Sequence, residues 1–147
     1  MVKGFTLIEL VIVIVLLGVV SIYVAPKITL SGFKELSEVT KFRAHIRHAQ
    51  HNSMTRGGFW GVGVDSTSKS YILYDNNTAT NFPDEKSSSG VVSEGISLSS
   101  SEIMDNRIYF DNLGRPVNSS GALLTSTVQI TVNGKVIKID PYGGGIY

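Results

Sequence analysis

The stretch from Gly4 to Ala25, GFTLIELVIVIVLLGVVSIYVA, constrains this chain more than any other. Phe5 to Ala25 is 21 residues, of which only Thr6, Glu9, Gly18 and Ser21 are not plainly apolar. As a helix it would be roughly 31 Å long, matching the hydrocarbon core of a bilayer. Glu9 places one carboxylate inside that run, near its start. In apolar surroundings such a group costs several kcal/mol unless something answers it, roughly 2.5–3.5 kcal/mol on insertion scales and more on transfer scales.

Three ordinary readings compete for the segment. A cleavable secretory signal needs a short apolar region and a small-x-small site. Here the run is too long, and Tyr23-Val24-Ala25-Pro26 puts Tyr and Pro where small residues belong. A single-pass anchor fits the length and leaves Glu9 without a purpose. A buried core helix does not suit 21 residues of this character.

GFTLIE followed by an apolar run resembles the N-terminus of type IV pilins and type II secretion pseudopilins. The resemblance implies that prepilin peptidase cuts after Gly4, that residues 1–4 are a leader, and that the amine of the new terminus, Phe5, is methylated. Glu9 becomes the fifth residue of the mature chain and pairs in the filament with the Phe5 amine of a neighbour. Gly18 and Pro26 also match the family, which kinks its long helix in this region. Lys3 keeps the leader end cytoplasmic. The implied partners are other pilin or pseudopilin subunits, the peptidase and an inner-membrane assembly platform. The implied location is the inner membrane as a single-pass precursor with its soluble part in the periplasm, then the pilus or pseudopilus. Pairing of Glu9 would also fix axial register, because a slipped neighbour buries both charges unpaired. A Pro removes a backbone hydrogen bond and clashes four residues back, so a bend is expected between Ile22 and Pro26.

The reading divides the chain into the leader 1–4, a transmembrane and assembly helix 5–28, and a soluble domain 29–147. Of 13 basic and 12 acidic residues, Lys3, Lys27 and Glu9 precede Thr29, leaving 11 of each in a near-neutral domain. Nucleic acid is not an expected partner, since it calls for a clustered basic face. Cys is absent, so the domain closes no disulfide and folds by its core alone.

Leu30, Phe33, Leu36, Val39, Phe42, Ile46 and Ala49 recur at steps of three and four. They predict an amphipathic helix over about 30–56 whose stripe packs on a sheet. Gly57-Gly58 ends it. His45, His48 and His51 share this helix, but steps of three fan them over about 120° of surface. They read as a polar face, with no metal site. Residues 58–147 change to strand character: 59–64 with 71–74, then 91–98, then 107–110. Residues 75–90, rich in Asn, Ser and Thr, read as an exposed loop. Asn133-Gly134 between Val128–Val132 and Lys135–Ile139 predicts a two-residue type I′ hairpin. Helix first and antiparallel strands after give an α+β, pilin-like fold.

Arg47-His48-Ala49-Gln50 before Gly57-Gly58, then Phe110-Asp111-Asn112-Leu113-Gly114, the late hairpin and the Gly-rich end resemble the FimT/GspH-like branch, H-type minor pilins and pseudopilins. The resemblance implies two small antiparallel sheets against the long helix. Some members of that branch bind DNA through a basic tail; here Gly143-Gly144-Gly145-Ile146-Tyr147 carries no Arg or Lys, so no DNA-binding residue is assigned. No catalytic motif, phosphate loop, cofactor fingerprint or metal spacing is present, and the chain reads as no enzyme. The expected function is a minor pilin or pseudopilin that initiates or caps a filament. The alternatives are a major pilin and a DNA-binding or adhesive tip subunit.

Overall fold

A computed structural model describes residues 4–24, 31–83 and 86–147. The chain forms two units, Met1–Phe33 and Lys34–Tyr147.

In the first unit, α1 (Leu7–Val24) begins where the Thr6 carbonyl accepts the amides of Glu9 and Leu10 at 3.1 and 3.2 Å. Its apolar side chains are exposed on every side, from Leu7 to Ile22. No helix among the described residues is long and apolar enough to cross a membrane. The 18 residues of α1 rise roughly 27 Å, a little short of a 30 Å hydrocarbon core. Gly18 lies within α1, with open space where a Cβ would stand. Pro26 and its expected bend fall outside the described residues.

The second unit is α+β. From Lys34 on, the helix α2 (Ser31–Arg56) lies in this unit and carries the expected stripe, of which only the later part packs. Val39, Phe42, Ile46 and Ala49 are buried, whereas Phe33 and Leu36 are 69% and 60% exposed. The stripe thus runs on beyond the core it serves. Gly57 and Gly58 end the helix at φ of 72° and 82°, a backbone that favours glycine.

Among the described residues nine strands follow: β1 (Trp60–Asp65), β2 (Ser70–Asp75), β3 (Thr78–Thr80), β4 (Ser89–Val91), β5 (Ile96–Ser99), β6 (Arg107–Phe110), β7 (Pro116–Val117), β8 (Val128–Val132) and β9 (Lys135–Ile139). They make two antiparallel sheets. The larger has the order β3-β2-β1-β6-β7, with β4 also on β2; the smaller is β5-β8-β9. Strand alternation sends Trp60, Val62, Val64, Tyr71, Leu73, Ile108 and Phe110 from the first sheet into the core. From the second it sends Ile96, Val128, Ile130, Val132, Ile137 and Ile139. Burial of each such side chain is worth about 1.5–3 kcal/mol. The expected hairpin forms, with Asn133 and Gly134 at φ of 47° and 72° as type I′ demands.

Residues 75–90 depart from the loop expected of them. Asn76 and Asn77 take positive φ and turn β2 back into β3; Asn tolerates that region better than most residues. Further on, Phe82 is 2% exposed, and β4 returns to pair with Ser70–Ile72. One aromatic anchor and edge-strand pairing order a stretch whose composition is polar.

Glu38 ties three elements together. Its carboxylate accepts the Ser93 amide at 2.8 Å, the Ser93 hydroxyl at 2.7 Å and the Asn133 side-chain amide at 2.7 Å; Lys34 lies 3.9 Å away. Asn133 in turn accepts the amides of Glu94 and Gly95. Burial pushes the Glu38 pKa up, but the hydrogen bonds from Ser93 and Asn133 and the Lys34 charge outweigh it, and the net shift is downward. A lowered folded pKa stabilises the fold above the ordinary value of 4.5, and the contribution is lost as pH falls through the folded value. Glu38→Gln should therefore flatten the fall in melting temperature between pH 5 and 3 measured on the full chain in detergent. An unchanged slope would show that this carboxylate contributes nothing to acid sensitivity.

Candidate functional site

Gly4 and Phe5 precede α1, and Glu9 lies in its first turn. Gly4, Phe5, Thr6 and Glu9 line a single open depression of about 350 Å³. Phe5 is 82% exposed, and nothing stands within 4 Å of a Cβ placed on Gly4. The peptide bond after Gly4 is thus uncrowded within the described residues. Glu9 sits in the first turn of α1, where a carboxylate favours the helix dipole. Glu9 and Phe5 thus border one depression that is open to the outside.

A second constellation joins motifs far apart in sequence. Arg47, Gln50 and Met54 stand at steps of three and four on one face of α2. The Gln50 side-chain amide donates to the carbonyls of Gly114 at 2.7 Å and Gly144 at 2.8 Å. Arg47 reaches the Ile146 carbonyl at 3.4 Å. Gly114 ends a turn organised by Asp111, whose carboxylate accepts the Leu113 and Arg115 amides and is held by the Arg115 guanidinium at 2.7–2.8 Å. Gly144 belongs to a turn in which Asp140 caps the Gly143 amide at 2.7 Å. The tail then runs antiparallel to β9, exchanging two backbone bonds between Lys138 and Tyr147. Gln50, the Asp111–Gly114 turn and the Gly-rich end, which sequence reading picked out separately, therefore form one seat for the tail.

Ser53, one turn beyond Gln50, ties the C-terminal end of the same helix to the larger sheet. Its hydroxyl accepts the Trp60 amide and donates to the Phe110 carbonyl, both at 2.9 Å. Nothing in the sequence marked Ser53, because both partners become neighbours only through the β1–β6 pairing.

The three histidines do not share one polar face. His45 is 3% exposed, stacks on Phe82 with ring centres 3.9 Å apart, and its Nδ1 lies 3.0 Å from the Tyr71 hydroxyl. His48 lies 2.9 Å from the Asn52 amide, and His51 is exposed. The polar-face reading thus fails for His45, which the Phe82 loop covers. Among the described residues no three His, Cys, Asp or Glu side chains stand where they could hold a metal ion. Lys135 and Lys138 are both exposed on β9, and the Arg56 guanidinium lies 5.8 Å over the buried Trp60 ring.

Residues 1–25 match the prokaryotic N-terminal methylation motif. No curated protein matches the chain in sequence. Two solved structures match its fold, both of the minor pseudopilin EpsH from the type 2 secretion system of Vibrio cholerae. One has a TM-score of 0.52 at 10% identity, covering 78% of this chain and 94% of EpsH. The other has a TM-score of 0.51 at 10% identity, covering 81% and 94%. At that identity the likeness is one of fold. Motif and fold agree with the resemblance read from sequence: a pilin-type N-terminus joined to the α+β architecture of an H-type pseudopilin.

Proposed function

We propose that this chain is a minor pilin or pseudopilin, a structural subunit that helps to initiate or cap a type IV pilus or type II secretion pseudopilus. The observation that carries the reading is the methylation motif on residues 1–25 of a chain with an EpsH-like fold. In this reading prepilin peptidase removes residues 1–4, Phe5 is methylated, and residues 5–28 anchor the precursor in the inner membrane with its soluble domain in the periplasm. An assembly platform then transfers the helix into the filament core. There Glu9 meets the Phe5 amine of a neighbour, and the exposed stripe of Phe33 and Leu36 gains a covering that the chain alone does not supply. The seated tail, without a basic residue after Gly143, favours this structural role over a DNA-binding one.

The test is mass spectrometry of sheared, purified filaments that reads the N-terminus and counts subunits. A mature end at methylated Phe5 in a small minority of subunits is expected. The same end on the dominant subunit would make the chain a major pilin. Retention of residues 1–4, with the chain confined to membranes, would defeat the filament reading altogether.

A further inference from the structure

Of the Asn residues in this chain only Asn133 is followed by Gly. Its buried side chain completes the tie made by Glu38. Nδ2 donates to the Glu38 carboxylate at 2.7 Å, and Oδ1 accepts the Glu94 and Gly95 amides at 3.0 and 3.4 Å. Gly134 is exposed, with nothing within 4 Å of a Cβ placed on it. A buried and fully engaged side-chain amide therefore adjoins an uncrowded peptide that faces water.

Asn is a thermolabile residue, and this neighbour exposes it to attack from its own main chain. The Gly134 amide gives its proton to hydroxide, and its nitrogen attacks Cγ of Asn133. The bond from Cγ to Nδ2 breaks, and Nδ2 takes a proton from water and leaves as ammonia. Water then opens the cyclic imide, giving Asp at one carbonyl and isoaspartate at the other. Water is the co-reactant, and nothing is oxidised or reduced.

The folded turn withholds the geometry this needs. Asn133 has φ of 47°, a left-handed backbone whose ideal ψ is about +47°. Such a ψ carries the Gly134 nitrogen to the side of Cα opposite Cβ, out of reach of Cγ. The three hydrogen bonds also stop the side chain from rotating towards it.

We propose that Asn133 is a deamidation site shielded by the fold, so that its conversion marks chains whose β8–β9 hairpin has opened. The product sets a carboxylate where Nδ2 met Glu38, and two like charges replace a hydrogen bond. Lys34, 3.9 Å from Glu38, answers one carboxylate and not two. Isoaspartate also lengthens the main chain inside a two-residue turn. The inference uses only the second unit and does not depend on the filament reading.

The test keeps the full chain in detergent at mildly alkaline pH, with and without denaturant. Peptide mapping then resolves Asn, Asp and isoaspartate at residue 133. Conversion should be at least about tenfold slower in the folded chain than in denaturant. Glu38→Ala frees Nδ2 and loosens the hairpin; it should speed conversion in the folded chain by about threefold or more and leave the rate in denaturant unchanged. Asn133→Asp makes one product directly. It should melt below the parent chain at neutral pH, and the gap should narrow as acid protonates one of the two carboxylates. Equal conversion with and without denaturant would overturn the shield. An Asn133 that stays intact in denaturant would overturn the site itself. A Glu38→Ala rate equal to that of the parent would remove the side-chain tie from the account.

Discussion

Gly144→Ala should destabilise the second unit by about 3–5 kcal/mol, at the upper end for a single added methyl. A Cβ on Gly144 would stand 1.9 Å from the Gly114 carbonyl oxygen and 2.5 Å from the Gln50 amide, and the backbone there has φ of 64°. A flexible side chain could yield; the Gly114 carbonyl belongs to a turn fixed by Asp111. The left-handed backbone alone costs about 1–3 kcal/mol for a non-glycine residue. Two neighbours separate the causes. Gly134 has φ of 72° with nothing within 4 Å, so Gly134→Ala should show only the backbone cost. Gly145 has ordinary φ and no neighbour closer than 3.8 Å, so Gly145→Ala should be nearly neutral. Thermal unfolding of the full chain in detergent would rank the three. A Gly144→Ala loss no larger than that of Gly134→Ala would mean the tail is not seated against Gly114.

Glu9→Ala should leave the chain processed and inserted but lower its incorporation into filaments by at least about tenfold. Removing one member of a buried ion pair leaves the other uncompensated, at about 3–5 kcal/mol. In the proposed filament the stranded group is the Phe5 amine. In the single chain Glu9 instead borders an open depression. The ratio of mature chain in sheared filaments to that in membranes reads the effect directly. Normal incorporation would remove the register role assigned to Glu9.

Local signals were legible because local chemistry decides them. Asn133-Gly134 needs two positive φ values and obtains them whatever surrounds it, and Gly57-Gly58 ends α2 for the same reason. The helix stripe was legible in period but not in extent. Leu36 follows the same spacing as Phe42 and Ile46, and only the position of the sheets decides which are covered. The buried state of His45 was hidden because its cover, Phe82, comes from a stretch of polar composition. At the N-terminus the motif was legible because it is linear, and residues 1–25 match the N-terminal methylation motif as a continuous stretch. The tail seat was legible only as separate motifs. Its geometry depends on a turn at Gly114 and a turn at Gly144 reaching one amide of Gln50, and no periodicity encodes that meeting.

That meeting also sets an order of events during synthesis. Gln50 leaves the ribosome 94 residues ahead of Gly144, and Arg47 leaves it 99 ahead of Ile146. At about 5–20 residues per second the wait lasts roughly 5–20 s. For most of it the apolar face of α2 lacks at least one of its sheets, since the larger is complete only at Val117 and the smaller only at Ile139. Final closure of this fold therefore waits for Gly144 and Ile146, and its helix is the part a holding chaperone would find uncovered for longest.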